Sequence, residues 1–220
     1  MLLILEENID VSFMLDEIAT CPQEHWDYCK PWTASTTGGL RATRDVDKLL
    51  LAWHPEVNGV PFWNQIGDNP DFPDWKKVPP ELTEGGKHFK KTMAFWDSYW
   101  KQRGMKVARA FFNRLAPGEK VHPHIDRPWG LTENYSTRIG ISLNINDGSS
   151  VTAENVDYNP AVGTLYWFNN DVPHWAANNG DTVRLVLYMD VVPVSPVGPV
   201  DWTQRAKYNA EQSKQIAGIK

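Results

Sequence analysis

The chain from Met105 to Val192 predicts a mainly β fold, a sandwich or barrel of jelly-roll type, with helices packed against it. Two observations carry this. Short apolar runs in that segment are separated by turn residues at regular spacing, and one strongly amphipathic helical stretch precedes them. The runs are 105–114 (MKVARAFFNR), 120–126, 138–145 (RIGISLNI), 151–157, 163–168 (GTLYWF), 173–177 and 182–191 (TVRLVLYMDV). Ala116-Pro117-Gly118, Asn146-Asp147-Gly148, Asn159-Pro160 and Asn178-Asn179-Gly180 mark turns between them.

Upstream, Leu2–Leu5 reads as a strand. A short helix follows Asp10, a good N-cap residue, with Val11, Met14 and Ile18 on one face. Cys21-Pro22, His54-Pro55, Asn69-Pro70 and Pro79-Pro80 then interrupt any periodicity, and the rest of residues 1–86 is left unassigned. Residues 87–103 form the amphipathic helix. Phe89, Met93, Trp96 and Trp100 recur at helical spacing, and Gly104 stands where a C-terminal cap belongs. That aromatic face should pack on the sheet. Trp202 to Lys220 reads as a polar C-terminal helix. The expected organisation is a single domain over 1–220: a helical and irregular support (1–104), a β core (105–192) and a C-terminal extension (193–220).

With 220 residues, 41% hydrophobic and 22% charged, the chain can bury one sizeable core and does not have the composition of a disordered segment. Its net charge of -5 gives no basic footprint for nucleic acid or an anionic membrane. MLLILEENIDVS lacks a basic leader, and no apolar run approaches the ~20 residues of a membrane span. Cys21 and Cys29 are too far apart for a CxxC motif and read as free thiols of a reducing compartment. A cytoplasmic protein without nucleic-acid or membrane partners is expected. Of the 11 tryptophans, Trp26, Trp32, Trp53, Trp63 and Trp75 fall among prolines and turn residues, where large aromatics pin irregular chain by packing.

The string Val121-His122-Pro123-His124-Ile125-Asp126 carries candidate chemistry. Residues two apart on a strand share a face, so His124 and Asp126 project together. An imidazole and a carboxylate are two of the three ligands of the 2-His-1-carboxylate triad, which leaves positions on iron(II) open. His122 lies on that face too, so an HxH pair with His124 is the competing ligand set. His174, in Asn170-Asp171-Val172-Pro173-His174-Trp175, offers a further ligand just after an aromatic strand. Arg184 stands ten positions on, inside an apolar strand. A guanidinium there needs an anion, either a bound dicarboxylate or a carboxylate of the chain such as Asp190 or Asp181. Arg138, Gly140, Ser142 and Asn144 alternate with Ile139, Ile141, Leu143 and Ile145, a polar face opposite an apolar one.

From about Met105 to Val192 the chain resembles the aspartyl/asparaginyl β-hydroxylase family of 2-oxoglutarate oxygenases, a group that also contains bacterial free-proline hydroxylases. The resemblance lies in Leu115-Ala116-Pro117-Gly118 leading into His122-Pro123-His124, in Arg138 opening a strand, in Gly163 to Phe168 before the His174 segment, and in Val183 to Leu187 ending at Asp190-Val191. It implies a double-stranded β-helix, cupin-like, with Fe(II) bound by His124 and His174 and, since Asp126 is present, by that carboxylate too. Arg184 would hold 2-oxoglutarate with Asn113 and Ser142 beside it, and Arg138 would face the substrate, with Trp129 and Tyr135 in the 127–137 loop covering the site. The implied reaction is hydroxylation of an amino acid, free or within a peptide, at the expense of O2 and the co-substrate. Two other functions fit parts of the pattern: a metal- or ligand-binding barrel without turnover, and an oxygenase acting on nucleic-acid bases, which the acidic charge disfavours.

Overall fold

A computed structural model describes residues 2–27, 46–53, 80–126, 136–195 and 214. The expected C-terminal helix, Cys29, Trp129 and Tyr135 lie outside these residues. Strand β1 (Leu2–Glu6) is followed by helices α1 (Ser12–Thr20) and α2 (Gln23–Asp27), strands β2 (Asp47–Trp53) and β3 (Glu81–Leu82), and helices α3 (Glu84–His88) and α4 (Lys90–Lys101). Eight further strands complete the order: β4 (Met105–Leu115), β5 (Lys120–His124), β6 (Thr137–Asn144), β7 (Ser149–Ala153), β8 (Val156–Tyr158), β9 (Leu165–Phe168), β10 (His174–Asn178) and β11 (Arg184–Pro193).

The strands form two antiparallel sheets. The larger runs β1-β9-β6-β11-β4-β2-β3 and the smaller β5-β10-β7-β8. This is the mainly β, jelly-roll fold expected from the sequence. Alternation along the larger sheet sorts its side chains into two layers. Ile139, Ile141, Leu143, Leu165, Trp167, Leu185, Leu187 and Met189 face the helices and join Met14, Trp26, Phe89, Trp96 and Trp100 in the main core. On the other face Leu50, Phe111, Tyr166, Phe168, Val186 and Tyr188 meet Val151 and Ala153 of the smaller sheet. That second layer floors the site. Gly140 is required in it by space: a Cβ there would lie 2.6 Å from Cζ of Tyr166.

Local signals explain most boundaries. The N-cap of α1 is Val11, without a side-chain cap bond, rather than the expected Asp10, whose carboxylate one residue earlier accepts from Ser12 N at 2.9 Å. Thr83 Oγ1 accepts from Gly86 N at 2.9 Å and caps α3. The single helix expected over 87–103 is instead two, broken at Phe89 (φ -91°, ψ 52°), whose side chain is fully buried. The C-cap of α4 is Gln102 rather than the expected Gly104, which follows two residues later at φ +69° in the turn into β4. The run 151–157 is a hairpin rather than one strand, because Glu154 and Asn155 both take positive φ, 56° and 61°, the geometry of a tight two-residue turn. Strand β2 lies in the segment left unassigned, where prolines on either side obscure its run Leu49-Leu50-Leu51.

Trp100, with no solvent exposure, joins the helical layer to the sheet. Trp100→Ala is expected to cost roughly 3–5 kcal/mol. Val194→Ala, at a side chain 54% exposed, should cost less than about 0.5 kcal/mol. Urea unfolding midpoints of the two variants against wild type check both.

Candidate metal and co-substrate site

Strands β5 and β10 pair antiparallel with His124 directly opposite His174, which brings the two imidazoles to 4.3 Å between ring centroids. In each ring Nδ1 faces a backbone carbonyl two residues earlier: His122 O at 2.8 Å for His124, and Val172 O at 2.9 Å for His174. A carbonyl only accepts, so Nδ1 carries the hydrogen and Nε2 keeps its lone pair. Asp126 lies two residues past the end of β5, not in the strand as expected. Its N–H donates to Asn170 O at 3.1 Å, and that bond fixes the turn. Asp126 Oδ1 sits 3.6 Å from His124 Nε2, and Oδ2 sits 3.8 Å from His174 Nε2. One donor atom from each of the three residues falls within 4.8 Å of the others. His122 is not part of this cluster; it contributes its carbonyl to His124. The geometry therefore favours the His124–Asp126–His174 set over the HxH pair.

Hydrogen bonds orient the carboxylate. Asp126 Oδ2 accepts from Arg138 Nη1 and from Asn170 Nδ2, the latter at 2.8 Å. Arg138 is itself held from behind, its Nε donating to Asp190 Oδ1 at 2.8 Å and its Nη2 to Asp190 Oδ2 at 3.1 Å. Arg109 closes the chain, with Nη2 2.5 Å from Asp190 Oδ2 and its guanidinium 4.7 Å over the Trp53 ring. Burial opposes the charge on Asp126, yet Arg138, His174 and His124 outweigh it and hold the carboxyl well below the usual range. Burial likewise disfavours the imidazolium forms: His124 is lowered, and His174 falls to about 4 despite the pull of Asp126. Two neutral imidazoles and one carboxylate, with Asp126 Oδ1 accepting no hydrogen bond among the described residues, form a donor set that fits an iron site.

Arg184 opens β11 and is 2% exposed. Among the described residues its Nη2 reaches the Tyr188 hydroxyl, at 3.4 Å, and its Nη1 has no hydrogen-bond partner. Among the described residues it meets no carboxylate. Asp190 shares its strand face but lies six residues away, roughly 20 Å along an extended strand, and register sets Asp190 opposite Arg109 and Arg138. Asn113 Oδ1 and the Tyr166 hydroxyl, on the same face, are also buried without hydrogen-bond partners among the described residues. Ser142, 1% exposed, pairs with Val186, and Val186 pairs on its other side with Asn113. Asn113 and Tyr188 line the cavity that the triad opens into; Arg138 lines it too, with its guanidinium turned to the carboxylates. Trp129 is outside the described residues.

A sequence profile of the aspartyl/asparaginyl β-hydroxylase family matches residues 60–193. The chain belongs to this family. The match starts well upstream of Met105, where the resemblance begins by eye, and it includes α3 and α4. Among curated proteins, none matches the chain. Similar solved structures include the viral collagen prolyl hydroxylase of Paramecium bursaria Chlorella virus-1 in complex with 2OG (11% identity, 88% of this chain and 96% of that one, TM-score 0.47). An oxidoreductase of the 2OG-Fe(II) oxygenase family from Burkholderia pseudomallei is another (14%, 67% and 68%, TM-score 0.42). A cupin domain from Bordetella pertussis is a third (14%, 38% and 79%, TM-score 0.30). Membership places the chain among hydroxylases, and so among oxidoreductases. No helix among the described residues is long and apolar enough to cross a membrane.

Three contributors escape a reading of the sequence. Asn170 looks like an ordinary turn residue, Lys48 lies in an unassigned segment, and the Asp190–Arg138 pair depends on register, which one sequence does not reveal.

In metal-free protein His174 titrates near 4 when folded and near 6.5 when unfolded. The unfolded chain therefore binds more protons between these values. Stability is complete above pH 6.5 and falls as pH drops toward 4, by on the order of 2–3 kcal/mol. Urea unfolding of chelator-treated protein at pH 7 and 4.5 should reveal this loss, and His174→Gln should reduce it. Equal losses in both proteins would exclude His174 as its source.

Proposed function

We propose that this hydroxylase is an Fe(II)- and 2-oxoglutarate-dependent dioxygenase acting on an amino acid, free or within a peptide. His124, Asp126 and His174 hold the metal. Arg184 grips the distal carboxylate of the oxo-acid, and Asn113 and Ser142 lie beside it. The observation that carries this is the buried Arg184, which has no carboxylate partner among the described residues and an unbonded Nη1. A guanidinium so placed is costly unless an anion joins it, and a dicarboxylate bound across the cavity supplies one. Bound iron and 2-oxoglutarate provide the oxidising chemistry: O2 is consumed, the oxo-acid becomes succinate and carbon dioxide, and a substrate C–H becomes C–OH.

The chain's own residues orient and enclose. Nδ1–H bonds to the His122 and Val172 carbonyls fix both imidazoles with Nε2 toward the metal position. Arg138 and Asn170 occupy Asp126 Oδ2 and leave Oδ1 to coordinate. Phe111, Phe168 and Val151 wall the cavity and exclude water. Arg138, read from the sequence as facing the substrate, keeps a role at the same cavity through the carboxylate it positions. We also assign the β core to catalysis and the segment 1–104 to support, within one domain.

Anaerobic titration of the apo-protein with iron(II) and 2-oxoglutarate should produce the weak visible charge-transfer band of a chelated complex. His124→Ala should abolish it and His122→Ala should keep it. Arg184→Ala should need on the order of 10- to 100-fold more 2-oxoglutarate. A folded wild type that takes up iron and gives no band would overturn the proposal.

A further inference from the structure

We propose that Asp190 is a positioning residue for the metal: it aims Arg138 at Asp126, and the affinity of the triad for a divalent cation depends on that aim. The inference rests on His124, Asp126 and His174 holding the metal, as above.

Among the described residues, Asp190 makes its side-chain hydrogen bonds to two arginines and to none of the three ligands. It stands on β11, 1% exposed, with Arg138 of β6 opposite it on one side and Arg109 of β4 on the other. Arg138 grips it side-on, Nε donating to Oδ1 at 2.8 Å and Nη2 to Oδ2 at 3.1 Å. A guanidinium is planar, so fixing the edge that carries Nε and Nη2 also fixes the direction of the third nitrogen. That nitrogen, Nη1, is the donor to Asp126 Oδ2. Arg109 holds the same carboxylate from the other neighbouring strand: its Nε donates to Oδ2 at 2.6 Å, and its guanidinium lies 4.7 Å over the Trp53 ring. The Phe111 ring lies 5.4 Å from the Arg138 guanidinium carbon and limits the swing of that plane.

A counter-charge for Arg109 alone would need only one pair. Buried ion pairs are weak contributors to stability, since apolar side chains of similar volume often serve as well. The second arginine serves the cavity, which it lines. Asp126 lies past the end of β5, where strand pairing no longer sets its side chain. Its carboxylate is turned by what Oδ2 meets, and with Oδ2 held, Oδ1 stands 3.6 Å from His124 Nε2. If Asp190 releases Arg138, the carboxylate loses that hold, and the metal must order it at the expense of affinity.

The test uses the full chain, stripped with a chelator and titrated with cobalt(II) alone, whose visible absorption reports coordination without turnover. Asp190→Asn keeps the size and replaces one acceptor oxygen with a donor. Arg138→Lys keeps the charge but cannot span both carboxylates. Arg114→Met breaks the Arg114–Asp47 pair, also on β4 but away from the cavity, and reports the general cost of losing an ion pair. Asp190→Asn and Arg138→Lys should each weaken cobalt(II) affinity on the order of 10- to 100-fold. Arg114→Met should leave it unchanged. The Asp190→Asn/Arg138→Lys double variant should fall well short of the two losses combined, because both act through one guanidinium. Urea midpoints of the metal-free proteins separate folding from binding: a merely structural Asp190 would lower the midpoint and leave the affinity of the folded protein alone. Wild-type affinity in folded Asp190→Asn, additive losses in the double variant, or an equal loss in Arg114→Met would each overturn the inference. Should Asp190→Asn fail to fold, Arg138→Lys decides, and wild-type affinity there overturns it. A wild type that binds no cobalt(II) would instead defeat the proposed metal site itself.

Discussion

Asp126 is a carboxylate that burial would neutralise, and what keeps it ionised is a chain of opposite charges running away from the cavity: Asp126, Arg138, Asp190, Arg109. The four formal charges cancel, and each inner member meets two partners. Breaking such a chain at one point leaves an uncompensated buried charge, a far larger penalty than the net worth of any single pair. Its members come from the loop after β5 and from strands β6, β11 and β4. The two arginines and Asp190 depend on the register of the large sheet, since Asp190 must stand opposite both Arg138 and Arg109. Register, hydrophobic alternation and ligand orientation are therefore one constraint. A one-residue slip of β11 would turn Asp190 toward the helices and Met189 toward the cavity.

The same alternation explains how a small protein holds both a dense core and an open site. All ten residues of β11 are buried, but its two faces do different work. Leu185, Leu187 and Met189 join the aromatic layer under α4, while Arg184, Tyr188 and Asp190 face the space between the sheets. Arg184 and Asp190 sit near opposite ends of that face. At one end Arg184 meets no carboxylate among the described residues, and at the other Asp190 is fully engaged. Gly140 lets the Tyr166 ring approach the sheet closely enough to share the space with Tyr188.

Much of this was legible in the sequence where the signal was local. Most strands of 105–192 and the aromatic helix stripe follow from side-chain periodicity, whereas the caps fell one or two residues from Asp10 and Gly104, at Val11 and Gln102. His124, Asp126 and His174 were visible as ligand types, but parity could not separate His122 from His124. The structure separates them through pairing of β5 with β10 and through the His122 carbonyl held by His124. What stayed hidden depends on partners distant in sequence. Asp190 was weighed as a partner for Arg184, yet register gives it to Arg109 and Arg138. The break at Phe89 follows from its ring packing on Phe112 at 4.9 Å, a tertiary contact that overrides helical spacing.

The family match spans residues 60–193, and the triad, Arg138, Arg184 and Asn113 all fall inside it. Strand β2 falls outside it, yet it hydrogen-bonds to β4 and supplies a wall of the same cavity. The groups assigned to metal and co-substrate thus lie in the segment whose sequence the family shares, and β2 lies between two strands of that segment, β4 and β3. The triad and its ion chain tolerate little change, because its members are buried or half-buried and each inner charge is paired on both sides. Strand β2 hydrogen-bonds to β4 on one side and to β3 on the other, and buries Leu49 and Leu51 on its helical face.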